Sequence, residues 1–406
     1  MPEIKPNEVE SIASIKVVGV GGAGGAAINR MREEGLSGVE LIAMNTDAQA
    51  LRNSKADKKV HLRLESKNGL GAGADPTKGE KAAEASREEI KQAIDGADMV
   101  FVTFGAGGGT GSGAGYIVAE EARKLGILTV GVVTKPFAVE GEVRRSNAEW
   151  AIEHLARNVD ALITIPNERL LQVVDPNMPW RKSFRIADDV LRQGVQGITE
   201  IITEEHDINL DFADVSAIMK DAGSALMGIG RASGENRAAI AAQQAIECPL
   251  IEVSIDGARG VLYLVSGGED VTMAELQEAG AIITANVSPD ANIIMGASVR
   301  PELEEDIMVT VIATGFDSEY YRDDPRAAEL FRPGGARLTD EPVGEDAEPQ
   351  DDVQEEEPRM ENDAPAENSD FASANASNIW NSIPSADTDD DSDIPAILRR
   401  RRKNRD

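Results

Sequence analysis

Short apolar runs alternate with stretches of helical periodicity through the first half of this chain. Residues 15–20, 39–44, 99–104, 127–133 and 160–165 are dominated by Val, Ile, Leu, Met, Phe and Ala, as expected of strands buried on both faces. Helical patterns lie between them, for example at 26–34 and 116–125. This alternation predicts an α/β fold with a doubly wound, mostly parallel sheet, Rossmann-like, over residues 15–183. Ile186, Val190, Gly194, Ile198 and Ile201 then recur at helical spacing, predicting one long helix over 184–205. With its connecting loop it fills 184–208 and is long enough to bridge two domains. Strand-like runs at 260–265, 292–298 and 307–313, with helical stretches at 234–246 and 272–285, predict a second, smaller α+β domain over 209–316.

The pattern breaks down at both ends. Residues 1–14 are polar and predict an N-terminal arm. Residues 317–392 are rich in Asp, Glu, Pro, Ser and Asn, too poor in apolar surface to offset the entropy of folding, and predict a disordered acidic linker. Phe371 and Trp380 interrupt it as a weak binding patch or as stray apolar residues. Residues 393–406 reverse the composition: Asp393-Ile394-Pro395-Ala396-Ile397-Leu398-Arg399 leads into a basic end, a pattern suited to folding onto a partner.

Two glycine-rich turns punctuate the first half. Gly19-Val20-Gly21-Gly22-Ala23-Gly24-Gly25 follows the first predicted strand and fits G-x-G-x-x-G. Gly105-Ala106-Gly107-Gly108-Gly109-Thr110-Gly111-Ser112-Gly113 follows the third. A strand feeding a glycine turn into a helix presents backbone N–H groups and a helix dipole to an anion, and Thr110 adds a hydroxyl donor. The first turn alone, with Asp47 after the second strand, fits a nicotinamide dehydrogenase. Two such turns suit a longer phosphate chain held between them. No G-x-x-x-x-G-K-[ST] is present, so backbone amides, with Mg²⁺ as the usual companion of a nucleoside triphosphate, would meet the phosphate charge.

Composition narrows the picture further. A net charge of −31 excludes a general nucleic-acid binder. About half of that excess sits in residues 321–392, with 21 acidic and 5 basic residues. A single cysteine, Cys248, precludes an internal disulfide and fits a reducing cytoplasm. No apolar run approaches the 18 or so residues of a membrane span, and there is no signal pattern. His61, His154 and His206 lack metal-ligand spacing, so no protein-held metal is expected.

The segment Gly107-Gly108-Gly109-Thr110-Gly111-Ser112-Gly113 resembles the tubulin signature. Three others, Asn45-Thr46-Asp47-Ala48-Gln49-Ala50-Leu51, Val133-Thr134-Lys135-Pro136-Phe137 and Asn209-Leu210-Asp211-Phe212-Ala213-Asp214-Val215, are similar to the tubulin/FtsZ family of cell-division GTPases. The resemblance runs from about residue 15 to about 316 and resumes at the extreme C-terminus.

The resemblance implies a GTP-binding domain at 15–183 and a head-to-tail homopolymer that hydrolyses GTP at its junctions. It implies a catalytic loop at the start of the 209–316 domain. The chain would be cytoplasmic, at the division site on the inner face of the membrane, with GTP or GDP bound and Mg²⁺ carried by the nucleotide. Residues 393–399 would recruit membrane-tethering and division-regulating proteins. Gly22, Ala23, Gly24, Gly25 and Ala26 would form one phosphate wall, and Gly108, Gly109, Thr110 and Gly111 the other. Ala72 and Gly73, in Gly71-Ala72-Gly73-Ala74-Asp75, would form a third wall, or an ordinary turn. Asn45 and Asp47 also join the nucleotide set. Ala26 departs from the Asn usual in the family.

Glu140 and Arg144 match residues near the ribose, although i,i+4 spacing equally suits a helix pair. Phe184 would stack on guanine and Asp188 would read its edge; a core phenylalanine is the alternative. Asn209, Asp211 and Asp214 would act on the nucleotide of the next subunit, whereas spacing alone suits a helix cap and a solvated acid. A dehydrogenase, and a nucleotide-binding filament with little hydrolysis, are the rival functions.

Overall fold

Alternate residues of the first strands enter two different apolar clusters. In β1 (Ile15–Val20), Val17 joins Leu41 and Phe101, whereas Val18 joins Ile42, Val100 and Val102. Such alternation requires cover on both faces. The computed structural model describes residues 13–63, 71–173, 178–203, 212–248, 255 and 257–316. The arm before residue 13, Asn209, Asp211, His206, the acidic linker and the C-terminal peptide therefore lie outside the described residues.

The elements alternate as predicted: β1, α1 (Gly21–Glu33), β2 (Val39–Asn45), α2 (Ala48–Asn53), β3 (Lys58–His61), α3 (Pro76–Glu84), α4 (Arg87–Ile94), β4 (Met99–Gly105) and α5 (Thr110–Lys124). Then come β5 (Leu128–Lys135), α6 (Glu142–Ala156), β6 (Ala161–Pro166), α7 (Asn167–Val173) and the long α8 (Trp180–Thr203). The second half comprises α9 (Phe212–Met219), β7 (Gly223–Ser233), α10 (Arg237–Ile246), β8 (Gly260–Gly267), α11 (Met273–Ala285), β9 (Asn292–Val299) and β10 (Asp306–Thr314).

All ten strands form one sheet in the order β3-β2-β1-β4-β5-β6-β7-β10-β8-β9. Pairing is parallel from β3 through β7; β10 is antiparallel to both β7 and β8, and β8 and β9 are parallel. The sheet is mostly parallel and carries a second α+β part, the predicted fold class. α1 and α8 cover one face of the first half. α3, α4, α5 and α6 cover the other. β3 and β7 were not evident in the apolar pattern.

α8 holds the halves together. Ile186, Val190, Leu191, Val195 and Ile198 are buried, each contributing roughly 1.5–3 kcal/mol. A Cβ at Gly194 would stand 3.2 Å from Val132 Cγ1 and 3.4 Å from Met227 Sδ, and one at Gly197 would stand 3.2 Å from Thr310 Cγ2. Small residues thus let one helix lie against β5 and β7 and then β10. At 24 residues it is about 36 Å long. It starts beyond α7, which follows the carboxyl end of β6, and leads toward α9, which precedes the amino end of β7. Asp160 fixes that amino edge: its Oδ2 accepts from Thr129 N–H at 2.8 Å, and its carbonyl accepts from Gly223 N–H at 2.9 Å.

In the second half, the buried guanidinium of Arg237 donates from Nε to Glu275 and from Nη1 to Asp270 and the Glu305 carbonyl. Arg237 holds the Glu275 carboxyl down at about 2 from an ordinary 4.5, helped by Thr272 and opposed by desolvation. Because the folded value is depressed, this stabilisation is complete above pH 4.5 and is lost as pH falls toward 2. In urea titrations, wild type should exceed Glu275→Gln in stability by about 1–3 kcal/mol at neutral pH. That gap should close across the acid range.

Candidate active site

The chain reverses direction across the sheet between β1 and β4. From β1 it winds outward to β2 and β3, and from β4 the other way to β5 and β6. A crevice at such a switch point lies beyond the carboxyl ends of the strands. α1 and α5 both start there, directly after β1 and β4. The expected starts, Ala26 and Tyr116, are corrected to Gly21 and Thr110. Low helix propensity suggested glycine turns, but tertiary packing overrides it and the glycines form the first helical turns. Neither N-terminus carries a side-chain cap, which leaves backbone N–H groups available to an anion.

The two turns interlock. Gly21 has φ +76, and a Cβ there would stand 2.8 Å from Gly111 N; one at Gly105 would stand 2.8 Å from Ala23 Cβ. The loop before α3 closes on the second turn, since a Cβ at Gly109 would stand 2.8 Å from Asp75 N and 2.9 Å from Ala72 Cβ. Gly107 (φ +96) lies against the Arg144 carbonyl and donates its N–H to Ser112 Oγ at 2.9 Å. Gly22, Gly25 and Gly73 differ: a Cβ at any of them would meet nothing within 4 Å. Gly108 is nearly as open, with Gly105 O at 3.9 Å. Packing accounts for the first group. The second group leaves open room beside uncapped helix ends.

Polar residues ring this room. Thr46 Oγ1 and Thr110 Oγ1 share a 2.7 Å hydrogen bond, both buried. Asn45 is buried and its Oδ1 accepts from Asp47 N–H at 3.1 Å; Asp47 in turn caps α2 by accepting from Gln49 and Ala50 N–H. Asp75 caps α3, and hydrogen bonds from Thr77 hold its carboxyl below the ordinary range. Asn147 Nδ2 donates to the Ala74 carbonyl at 3.3 Å, joining α6 to the third loop.

Glu140 and Arg144 pair at 2.6 Å, but not along one helix. Glu140 ends a 3₁₀ turn (Ala138–Glu140) where its Oε1 accepts from Phe137 N–H, and Gly141 (φ +93) separates it from α6. Ala26 is half-buried in α1. Phe184 and Asp188 lie one turn apart on α8, and Asp188 is partly exposed. Asn167 was missed by sequence reasoning. It immediately follows β6, is buried, and its Oδ1 has no hydrogen-bond partner among the described residues. A polar residue just after a predicted strand was the available signal.

Asp214 is exposed in the first turn of α9. α9 ends three residues before β7, whose Gly223 pairs with Ala161 at the amino end of β6. Asp214 therefore sits toward the amino edge of the sheet, and the glycine turns sit at the carboxyl edge. No group of three His, Cys, Asp or Glu able to hold a metal occurs among the described residues.

Comparison with known proteins gives a consistent result. The Tubulin/FtsZ family GTPase-domain model matches residues 14–175, and the FtsZ family C-terminal-domain model matches residues 223–317. An empty FtsZ dimer from M. jannaschii is 47% identical, with 76% of this chain and 89% of that chain covered and a TM-score of 0.73. A point mutant of M. jannaschii FtsZ is 48% identical over 75% and 91% of the two chains, also with a TM-score of 0.73. CetZ2 from Haloferax volcanii, a GTPγS-bound protofilament, shares the fold at 20% identity, with 79% and 97% coverage and a TM-score of 0.65.

The division of the glycines is directly testable by urea unfolding. Gly109→Ala should cost about 1–3 kcal/mol through overpacking. Gly22→Ala should change stability by no more than about 0.5 kcal/mol.

Proposed function

This chain belongs to the Tubulin/FtsZ family, and on that premise we propose a self-assembling GTPase whose catalytic site is shared between successive subunits. One observation carries the reading: the open glycine turns and the acidic first turn of α9 lie at opposite edges of one sheet. Within one subunit the two do not meet. Head-to-tail stacking would bring the acid edge of one subunit onto the crevice of the next, a heterologous contact that propagates as a filament unless it closes a ring.

In this reading the triphosphate lies over Gly22–Ala26 of one turn and Gly108–Gly111 of the other, with Ala72 and Gly73 near its terminal phosphate. The room beside Gly22, Gly25 and Gly108 fits such a ligand, because the protein's own packing does not require glycine there, whereas the φ of +65 at Gly73 requires it by itself. Thr110 and Thr46 fix the α5 end of the crevice, and Asn45 and Asp47 shape its flank. Glu140 and Arg144, already paired, face the ribose. Phe184 stacks on the base and Asp188 accepts from N1–H and the exocyclic amine of guanine. The free Oδ1 of Asn167 supplies a further acceptor at the same edge. A Mg²⁺ carried by phosphate oxygens and water needs no protein carboxylate cluster and would offset phosphate charge.

Asp211 and Asp214 of the neighbouring subunit, with Asn209, would orient a water for in-line attack on the γ-phosphorus. The new P–O bond forms as the bond to the β-phosphate oxygen breaks, giving GDP and inorganic phosphate with release of the water's proton. Placement at the division site on the inner face of the membrane is part of the proposal, with tethering and regulating proteins recruited through residues 393–399. No helix among the described residues is long and apolar enough to cross a membrane.

The reading makes binding and hydrolysis separable. Gly22→Val should fold but lose GTP binding. Asp214→Ala should bind GTP as wild type does and release phosphate about 10²–10⁴-fold more slowly. Wild-type activity per subunit should climb with protein concentration. Constant activity per subunit on dilution would show that one subunit suffices.

A further inference from the structure

The loop before α3 makes a turn that its own sequence disfavours. Asp75 N–H donates to the Ala72 carbonyl at 3.3 Å, and the two residues between them, Gly73 and Ala74, have φ of +65 and +64. Positive φ at both central positions marks a type I′ turn, in which Gly, Asn and Asp predominate rather than Ala. A residue with a Cβ persists in the left-handed region only where its surroundings over-determine it, and such positions cluster at ligand clamps.

Two neighbours hold this turn. On one side is the second glycine turn: a Cβ at Gly109 would stand 2.8 Å from Asp75 N and 3.1 Å from Ala74 N, so backbone closes on backbone. On the other side is α6, where Asn147 Nδ2 donates to the Ala74 carbonyl at 3.3 Å. Asn147 lies three residues beyond Arg144, so the two share a face of the helix. Arg144 sets its carbonyl against Gly107 and its guanidinium on Glu140. One face of α6 thus touches the second turn, the third loop and the pair read as facing the ribose.

The charged groups around the turn are already engaged. The Asp75 carboxylate accepts from Thr77 N–H at 3.1 Å and from Thr77 Oγ1 at 2.7 Å, and Lys78 Nζ stands 3.4 Å from it. What the loop has to offer an anion is backbone. Gly73 N–H meets no acceptor among the described residues, and a Cβ at Gly73 would meet nothing within 4 Å. Any contact of this loop with a phosphate therefore depends on the turn keeping its shape.

We propose that Asn147 is a positioning residue that sets the preference for a nucleoside triphosphate over the diphosphate. It holds the Ala74 carbonyl, and with it the left-handed turn, so that Gly73 N–H stays available to the terminal phosphate. The inference rests on the nucleotide reading above, in which the two glycine turns carry the inner phosphates and the third loop meets the last one. A diphosphate leaves that loop untouched, so loss of Asn147 falls on triphosphate binding alone.

The test measures GTPγS and GDP binding to the full-length chain, kept too dilute to assemble, by competition with a fluorescent guanine nucleotide. Asn147→Ala should weaken GTPγS about three- to tenfold, the scale of one hydrogen bond, and leave GDP within about twofold. GDP binding in the same sample reports an intact crevice, so a loss confined to GTPγS cannot come from unfolding. Asn147→Gln, which keeps the amide donor, should recover most of the loss. Ala74→Gly removes the cost of the left-handed turn. In that background Asn147→Ala should weaken GTPγS by less than about twofold, a coupling that an independent effect on α6 would not show. Equal losses of GTPγS and GDP overturn the proposal while the site reading stands, as does a GTPγS affinity that Asn147→Ala leaves unchanged. Gly22→Val tells the two failures apart: if it binds both nucleotides as wild type does, the site reading fails and this inference falls with it.

Discussion

A parallel sheet sends every loop that follows a strand to one edge and every loop that precedes one to the other. That constraint organises this molecule. Both glycine turns, Glu140 and Asn167 follow strands, Asn45 ends one, and all gather at the carboxyl edge. α9 precedes β7 and so carries Asp214 to the opposite edge. α8, about 36 Å of helix from its 24 residues, is the rigid span between them. Its register is set by Gly194 and Gly197 against Val132, Met227 and Thr310.

Within the crevice, space rather than charge marks the proposed site. Arg144, whose carbonyl lies against Gly107 of the second turn, is already paired with Glu140. In the proposed reading, phosphate would meet two uncapped helix ends, held side by side by the contacts of Gly21 with Gly111 and Gly105 with Ala23. Such amides are fixed by the backbone before ligand arrives, so little reorganisation opposes binding. The Thr46–Thr110 hydrogen bond and the seat of Gly107 on Ser112 belong to the same preorganisation.

Much of this was legible in the sequence. Strands buried on both faces, such as β1 and β4, announce themselves as apolar runs. β7 did not, because Gly228 and Gly230 dilute its pattern. A Cβ at Gly230 would collide with the Ala241 carbonyl of α10, so packing demands the residue that hides the strand. β3 is four residues long at the sheet's edge, too short to register. The glycine turns were found as motifs, yet their division into packed and open positions depends on neighbours distant in sequence, Asp75 on Gly109 or Arg144 on Gly107. Asn167 carries no periodicity; its place just after a predicted strand is its one sequence signal, and its burial and free Oδ1 single it out in the structure. Glu140 and Arg144 have the spacing of a helix pair, but Gly141 breaks the helix between them. Asp188 and Phe184 sit one turn apart as expected, since helical spacing needs only local geometry.

The most direct test of a site shared between subunits is complementation. Gly22→Val has a blocked crevice and an intact acid edge; Asp214→Ala has the reverse. Each alone should release little phosphate from GTP. Mixed in equal amounts under conditions where both co-assemble, they form some junctions with an intact crevice facing an intact acid edge. Phosphate release should then rise well above the mean of the two separate rates. A mixture that co-assembles yet releases phosphate only at that mean would contradict the account.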